Sequence, residues 1–440
     1  MAAIACVLIV HLAVADSQDA SKGAVWVLQI NGAIGPATSD YIVRGIHKAE
    51  DANAGLIVLE LNTPGGLDTA MRDIIKAILS STVPVAGYVT PRGARAASAG
   101  TYIMYASHFA AMNEATNLGA ATPVQIGVPS VPPPSQQPEK GGEKEPSSSA
   151  MEKKIINDAS AYIRSLAELR GRNGKWAEQA VREGASLSAS EALKTGVIDF
   201  IAPDLDALLK FVEGKTVKAG GVDVNVHVAG RPIHNYRPDW RTELLETLTN
   251  PNMVLILGMF GVYGILLEFY NPGSIIPGTV GVICLILAGY ALQMLPINYA
   301  GLGLIALGIG LMVAEAMAPS FGVMGIGGII AFTIGGIMLF ESDMEAFRVG
   351  LPVLLTIAVI LAVFVIATIS IALRIRHKQV TTGVERLVGR TGEALTDIDA
   401  RGQVRIGGEI WKAKARTEIS QGSAIRVIDV DGMTLTVEAT

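Results

Sequence analysis

Cysteine and histidine are scarce in this chain, and their positions limit the chemistry it can perform. Among 440 residues there are two cysteines and six histidines. Cys6 lies in an apolar run at the N-terminus and Cys284 in a long apolar stretch, so the soluble parts contain no thiol. This excludes a disulfide framework, a cysteine-ligated metal site and a thiol nucleophile there. The net charge of −5 argues against binding to polyanions, and we expect no nucleic-acid partner.

Basic residues are missing from the N-terminus, where none precedes Lys22. Residues 2–12 are apolar but too few to span a bilayer, and the small residues at 13–15 fit a signal-peptide cleavage site. Although the basic start of an ordinary signal is absent, we predict a signal peptide at residues 1–15 and export of the segment that follows.

Charged residues are almost absent between residues 253 and 373. This stretch contains apolar segments close to the roughly 20 residues that a membrane helix needs. We predict a transmembrane domain of about five helices over residues 253–373, near 253–270, 279–295, 300–318, 322–340 and 351–373.

The charges around these spans predict an orientation. Arg374, Arg376 and Lys378 follow the last span, which places this end in the cytoplasm and, with five spans, the N-terminal domain outside it. Glu268 and Glu315 lie within or near the ends of spans, where acids are candidate functional groups; the structural alternative is that Glu268 reaches the interface and Glu315 hydrogen-bonds a neighbouring helix. The spans show no clear internal repeat, which argues against a transporter.

The segment before the spans has the pattern of a parallel sheet. Runs rich in β-branched residues at 25–30, 55–61 and 83–89 predict buried strands, and apolar residues at helical spacing over 67–78 predict a helix between the last two. This strand–helix–strand order is typical of α/β domains. We assign residues 22–215 to one domain, with a proline-rich loop at 123–151 that we expect to be disordered, and 216–252 to a linker.

The segment after the spans has the pattern of a small barrel. Short alternating runs separated by glycines predict an OB-type barrel of five strands over residues 383–440, with strands at 387–389, 402–406, 408–413, 424–428 and 433–437. Such barrels often bind nucleic acid, but acidic residues slightly outnumber basic ones here, which argues against that role.

Ser98 is the candidate nucleophile. It lies in a run of small residues between a predicted strand and a predicted helix, where a substrate backbone can approach and the N–H of Ala99 can bind an oxyanion. Gly65 and Gly66 directly follow the second strand, at the edge where open α/β sheets bind ligands, and offer further N–H donors. The structural alternatives are a tight helix packing point at Ser98 and an ordinary turn at the glycines.

Several residues are candidates for the general base. His108 is the nearest histidine downstream, but it lies at the far end of the helix that the serine would begin and should point away. A lysine can accept the serine proton when burial lowers its pKa. The local choices are Lys140, Lys144, Lys153 and Lys154. We favour Lys154 because it opens an amphipathic helix; the alternative is a solvated surface charge.

Several motifs resemble one family. They are Asn-Thr-Pro-Gly-Gly at 62–66, Ala-Ser-Ala-Gly-Thr-Tyr-Ile at 97–103, Lys-Ile-Ile-Asn at 154–157 and Gly-Glu-Ile-Trp-Lys-Ala at 408–413. Over nearly its whole length the chain resembles the long-form NfeD family of membrane-bound serine proteases of the ClpP class, also called stomatin operon partner proteins. The resemblance implies a ClpP/crotonase-like α/β domain, a multi-span helical domain and an OB-fold barrel.

The same resemblance implies roles for the site residues. Ser98 and Lys154 would form a serine–lysine dyad, with Lys153 as a fallback, and Ala99 with Gly65 or Gly66 would form the oxyanion hole. No histidine lies near residue 123, where the ClpP histidine would be expected. The family further implies cleavage of apolar segments of stomatin-like membrane proteins beside the lipid. We also expect no cofactor or metal and a homo-oligomer of two or more copies.

Two other functions fit parts of these observations. A non-proteolytic scaffold would use the same domains to assemble with stomatin- or flotillin-type proteins. A crotonase-type acyl-CoA enzyme would share the fold and the oxyanion glycines but would not need a serine nucleophile. Export into a compartment without coenzyme A argues against the latter.

Overall fold

The structure is a computed structural model that describes residues 23–123, 147–271, 273, 275–318, 320, 322–340, 345–376 and 384–440. The predicted signal peptide at 1–15 and residues 124–146 of the predicted loop lie outside the described residues. The strands of the N-terminal part are β1 (Val25–Asn31), β2 (Leu56–Asn62), β3 (Val85–Val89), β4 (Arg95–Ala97), β5 (Phe109–Met112), β6 (Asn117–Gly119), β7 (Ser186–Ser188), β8 (Phe200–Ile201), β9 (Thr216–Ala219), β10 (Val222–Asn225) and β11 (Ile233–Tyr236).

Helices alternate with these strands. They are α1 (Pro36–Asp51), α2 (Asp68–Ser80), α3 (Ala99–Ala106), α4 (Ser147–Arg170), α5 (Gly174–Arg182), α6 (Ala189–Lys194), α7 (Leu205–Val212) and α8 (Trp240–Leu248). The last residues of the predicted disordered loop, from Ser147, are therefore helical and belong to the first turns of α4.

The main sheet has the order β11-β1-β2-β3-β5-β8, with every neighbouring pair parallel. Its central strands are buried along almost their whole length, as expected of a parallel sheet rich in Val, Ile and Leu. Asn31 pairs with Asn62, and Leu61 pairs with Val89. The α/β fold predicted from the sequence is confirmed, and the carboxyl ends of β1, β2 and β3 lie at one edge.

The segment 216–252, predicted as a linker, is instead folded. It contains the β9–β10 hairpin, strand β11 and helix α8. Strand β11 extends the sheet beside β1, where the ring of Trp26 packs on His234 and Tyr236 at centroid distances of 4.3 and 5.6 Å. Its short polar sequence carries no strong local signal, and pairing with β1 decides its conformation.

Five apolar helices follow: α9 (Pro251–Tyr270), α10 (Ile276–Met294), α11 (Tyr299–Met317), α12 (Val323–Leu339) and α13 (Leu351–Arg376). Two of them are long and apolar enough to cross a membrane by length and composition, over Pro251–Phe269 and Ile276–Met294. The other three contain shorter apolar stretches. The predicted number of five spans therefore stays a prediction, whereas the helical character of the region is confirmed.

The pairs α9–α10 and α11–α12 are two copies of one hairpin, so the expectation that no internal repeat is present is wrong. Glu268, Gly278 and Gly281 in the first pair correspond, at one constant sequence offset, to Glu315, Gly325 and Gly328 in the second. A Cβ on Gly281 would lie 2.7 Å from the carbonyl oxygen of Gly261, and a Cβ on Gly328 would lie 2.7 Å from that of Gly308. Glycine at these positions permits close helix contact in both copies.

Each copy carries its glutamate at the turn. The Glu315 carboxylate is buried and accepts hydrogen bonds from the Ser320 N–H at 2.8 Å, the Ser320 hydroxyl at 2.5 Å and the Gly322 N–H at 2.9 Å. Glu268 accepts one from the Ile275 N–H at 3.1 Å. Glu315 also accepts from the Gly325 N–H of α12 at 3.3 Å, so it hydrogen-bonds the neighbouring helix as the structural alternative predicts. Both acids bind backbone amides in or just after their own turn, which is a structural role.

The C-terminal part is a closed barrel of five strands in the order β12-β13-β14-β16-β15. The strands are β12 (Thr391–Ala394), β13 (Gly402–Ile406), β14 (Glu409–Ala415), β15 (Ala424–Asp431) and β16 (Thr434–Ala439). The predicted first strand at 387–389 is wrong. Leu387 ends a 3₁₀ helix, Val384–Leu387, and packs into the barrel core, and Gly389 with φ of +85° turns the chain before β12 begins.

Candidate active site

Ser98 lies at the junction of β4 and α3 in a strained backbone conformation. Its φ is 50° and its ψ is −115°, values that a residue with a Cβ seldom adopts. Its N–H donates to the Gly119 carbonyl at 2.9 Å and its own carbonyl accepts from the Thr101 N–H at 2.9 Å. The Ser98 hydroxyl does not cap α3. Strain of this kind at a strand–turn–helix junction is the device that presents a serine nucleophile in hydrolases.

Gly65 lies directly against Ser98. A Cβ at Gly65 would be 2.6 Å from the Ser98 Cβ and 3.1 Å from its hydroxyl oxygen, and the Gly65 φ is +123°. The loop is held by Thr63, whose hydroxyl accepts from the Gly65 N–H at 3.0 Å and donates to the Gly65 carbonyl at 3.1 Å. Only glycine fits this position, because a side chain would displace the serine.

Two other amides at the site have no acceptor within the described part of the chain: those of Gly66 and Ala99. Ala99 is the first residue of α3, where N–H groups have no partner inside the helix. Beside Gly66, the Leu67 N–H donates to the Ile34 carbonyl at 2.9 Å. Successive amides of an extended chain point to opposite sides, so the Gly66 N–H points away from Ile34. The Gly65 N–H, in contrast, is already donated to Thr63.

A small network that sequence reasoning missed holds the turn around Ser98. Thr101 donates its hydroxyl to the carbonyls of Ala96 and Gly119 at 2.9 and 3.0 Å and accepts from the Gly119 N–H at 3.1 Å. Strand β4 also holds the loop of Thr63: the Thr63 N–H donates to the Arg95 carbonyl, and the Ala97 N–H donates to the Thr63 carbonyl. A threonine two residues before a glycine is a known turn signal, which marks Thr63 in the sequence; nothing local marks Gly119.

Helix α4 carries both candidate lysines. It is joined to α2 by the Asp158–Arg72 ion pair at 2.7 Å and stacks Tyr162 on Tyr102 of α3, with ring centroids 6.1 Å apart. Lys154 lies one helical turn before Asp158 on the same stripe of the helix and is exposed. It has no hydrogen bond or ion pair with Ser98 or any other residue that the structure describes.

Lys153 lies on a different stripe of α4. The residue one turn after it, Asn157, accepts a hydrogen bond from Arg182 of α5 at 3.1 Å, and Arg164 on the same side pairs with Glu178 of α5. Lys153 therefore lies on the side of α4 that faces α5, whereas Lys154 lies on the side that faces α2 and α3.

His108 points away from the serine, as expected. It is buried, its Nδ1 accepts from the Val85 N–H at 3.1 Å, and Val85 begins β3 at the edge of the sheet opposite to Ser98. Burial lowers the pKa of His108 to about 3, so the ring is neutral and accepts this hydrogen bond. His108 is not available as the general base.

With this geometry in place, the chain can be compared with known proteins. It is 36% identical over 431 residues to the membrane-bound protease PH1510 of Pyrococcus horikoshii, which covers 95% of this chain and 93% of that protein. The chain belongs to the NfeD family. Residues 24–128 match the N-terminal domain of NfeD1b, 252–371 the NfeD integral membrane domain, and 384–438 the NfeD-like C-terminal, partner-binding domain.

The chain is also similar to a second membrane protein and to a solved structure. The chain is 26% identical over 450 residues to the membrane protein NfeD1b of Bacillus subtilis, covering 95% of this chain and 93% of that one. A solved structure described as the 1510-N membrane protease specific for a stomatin homolog from Pyrococcus horikoshii is 35% identical, with a TM-score of 0.42, over 52% of this chain and 100% of that one. The matched N-terminal NfeD segment contains Ser98, Gly65 and Gly66, whereas Lys154 follows it.

Proposed function

We propose that this NfeD protein is a membrane-anchored serine endopeptidase in which Ser98 is the nucleophile and Lys154 the general base. The observation that carries the proposal is the strained Ser98 turn, with the Gly65 backbone against the serine and the Ala99 amide beside it. The similarity to a membrane-bound protease over almost the whole chain supports peptide hydrolysis rather than acyl-CoA chemistry.

The position of α4 supports Lys154 over Lys153. Lys154 lies on the stripe with Asp158 and Tyr162, which contact the two helices that flank the serine, α2 and α3. In the reaction, the Lys154 amine accepts the hydroxyl proton as the Ser98 oxygen attacks the scissile carbonyl, and returns it to the departing amine. Water then hydrolyses the acyl-enzyme by the same route. No cofactor or metal takes part in these steps.

The free amides support Gly66 and Ala99 as the oxyanion hole. Both N–H groups are fixed by backbone structure and lack a competing acceptor in the described residues, so they can bind the developing negative charge. Gly65 contributes in another way: its N–H holds Thr63, and its missing side chain makes room for the serine.

The family resemblance extends the proposal to the substrate and the setting. Stomatin-like membrane proteins with apolar segments are the proposed substrates, and the C-terminal barrel is the proposed partner-binding module. The protease domain would lie outside the cytoplasm and the barrel inside it, and the protein would work as a dimer or larger homo-oligomer. Anchoring beside a membrane substrate raises the effective concentration of the scissile segment.

The test is cleavage of apolar peptides by the full chain, followed by mass spectrometry. Ser98→Ala and Lys154→Ala should each reduce the cleavage rate to background. Lys153→Ala should leave the cleavage rate equal to that of the unmodified protein. Covalent labelling of Ser98 by a fluorophosphonate should be lost in Ser98→Ala. Unchanged cleavage by Ser98→Ala would instead favour the scaffold function, and loss in Lys153→Ala but not Lys154→Ala would reassign the base.

A further inference from the structure

Helix α8 exposes an apolar face immediately before the first membrane helix. The side chains of Trp240 and Leu244, one helical turn apart, are 75% and 49% exposed. Large apolar side chains at helical spacing on an otherwise polar surface indicate a contact with a bilayer or with another molecule.

The opposite face of α8 explains why the helix is held in this position. Thr242, Leu245 and Leu248 are buried, and α8 packs on α1. Arg44 of α1 donates to both oxygens of Asp239, the residue that caps α8, at 2.8 and 3.1 Å. This pairing holds the pKa of Asp239 well below its usual range. The exposed face is therefore fixed outward by contacts that do not involve it.

The neighbours of α8 place it at the boundary of the lipid. Only Thr249 and Asn250 separate it from α9, and the extended Asn250, with ψ of 123°, turns the chain between the two helices. Helix α8 also packs against α10, the second helix able to span a membrane. It contacts both α9 and α10, which is the arrangement of a helix lying across their ends.

Two further contacts lie near the start of α9, one between apolar-helix segments and one that reaches the sheet domain. The Gly350 N–H, before α13, donates to the Asn252 side chain at the start of α9 at 2.8 Å. Phe347, in the turn between α12 and α13, is buried against Gly35, where a Cβ would lie 3.3 Å from its ring. Gly35 follows β1 at the carboxyl edge of the sheet, the edge that carries Ser98.

We propose that the Trp240–Leu244 face of α8 is embedded in the headgroup–acyl boundary of the bilayer, making lipid a direct ligand of the sheet domain. Tryptophan prefers this boundary, and an amphipathic helix buries its apolar face there while its polar side remains in water. The bilayer is the occupant because α8 ends two residues before α9 begins and packs against both α9 and α10, the two helices able to span a membrane. This contact sets the height and tilt of the carboxyl edge of the main sheet above the membrane. The proposal does not depend on whether the protein is a protease.

The test uses the full chain reconstituted in phosphatidylcholine vesicles, with and without lipids brominated on the acyl chains near the headgroup. Bromine quenches tryptophan emission only on contact. Part of the emission should be quenched, and Trp240→Phe should remove most of the quenched part. The matched control is Trp411→Phe in the barrel, which should leave the quenched part of the emission unchanged. Trp26 and Trp176 are buried in the sheet domain and should not respond.

A second variant separates lipid from other occupants. Leu244→Glu leaves the buried face of α8 intact and should reduce quenching of Trp240 by brominated lipid while increasing its quenching by aqueous iodide. An unchanged quenched fraction in Trp240→Phe would overturn the proposal. So would a Leu244→Glu variant that alters the oligomeric state without altering lipid quenching, since the face would then bind a second copy.

Discussion

The position of Ser98 and the absence of a side chain at Gly65 depend on each other. The serine occupies a positive-φ turn that costs on the order of 1–3 kcal/mol, and the hydrogen bonds of Thr63, Thr101 and Gly119 hold it there. Gly65 has no side chain because a methyl group at that point would overlap the Ser98 Cβ. The candidate site is therefore built mainly from backbone, and small changes of shape should affect it more than changes of charge.

The effect of a methyl group at Gly65 can be separated from that of backbone strain. Gly65→Ala should lower peptide cleavage by on the order of 10²-fold, because the added Cβ shifts the nucleophile. Gly93→Ala is the matched control, since Gly93 also has a positive φ, of +85°, but a Cβ there meets nothing within 4 Å. Steady-state cleavage of one peptide by both variants measures the difference. Equal losses would show that strain, not overlap with Ser98, matters.

At the scale of elements, helices are positioned by a few polar contacts at their ends. The ion pair of Asp158 with Arg72 and the ring stacking of Tyr162 on Tyr102 turn the Lys154 side of α4, and not the Lys153 side, toward α2 and α3. In the membrane part, Glu315 and Glu268 bind the turns of the two repeated hairpins. The buried Glu315 carboxylate should stabilise its turn strongly, because the amides it binds have little access to water.

Replacing the Glu315 carboxylate should loosen the α11–α12 turn. In Glu315→Gln an amide N–H₂ group faces backbone N–H donors, so about 1–3 kcal/mol of local stability should be lost. Hydrogen exchange should become faster at the amides of Ser320, Gly322 and Gly325. Glu268→Gln is the control and should speed exchange at Ile275 instead. Unchanged protection at Ser320 and Gly322 in Glu315→Gln would contradict the assigned role.

At the scale of the whole molecule, the chain joins a sheet domain, a block of apolar helices with a duplicated hairpin, and a barrel. The apolar helices with glycines at their contacts are typical of membrane packing, and the NfeD membrane domain matches this block. We predict from the basic residues after the last helix and from five spans that the two soluble parts lie on opposite sides of the membrane.

That orientation can be measured with single cysteines on exposed surfaces. Glu183→Cys in the sheet domain should react with an impermeant maleimide from outside intact cells, whereas Glu409→Cys in the barrel should react only after permeabilisation. The unmodified chain, with Cys284 in α10, gives the background. Labelling of both positions from the same side would indicate an even number of spans.

The sequence by itself determined the three central strands, the apolar block, the barrel and the candidate serine, because each depends on a local pattern: β-branched runs, long uncharged segments, glycine-separated alternation, small residues around Ser98. Only the tertiary structure decided that β11 joins the sheet, because the conformation of this short polar segment depends on its pairing with β1. It also decided that the Gly65 amide is occupied while that of Gly66 has no acceptor among the described residues, and that Lys154 and Lys153 lie on different sides of α4. These outcomes depend on contacts between residues far apart in the chain, which no local periodicity records.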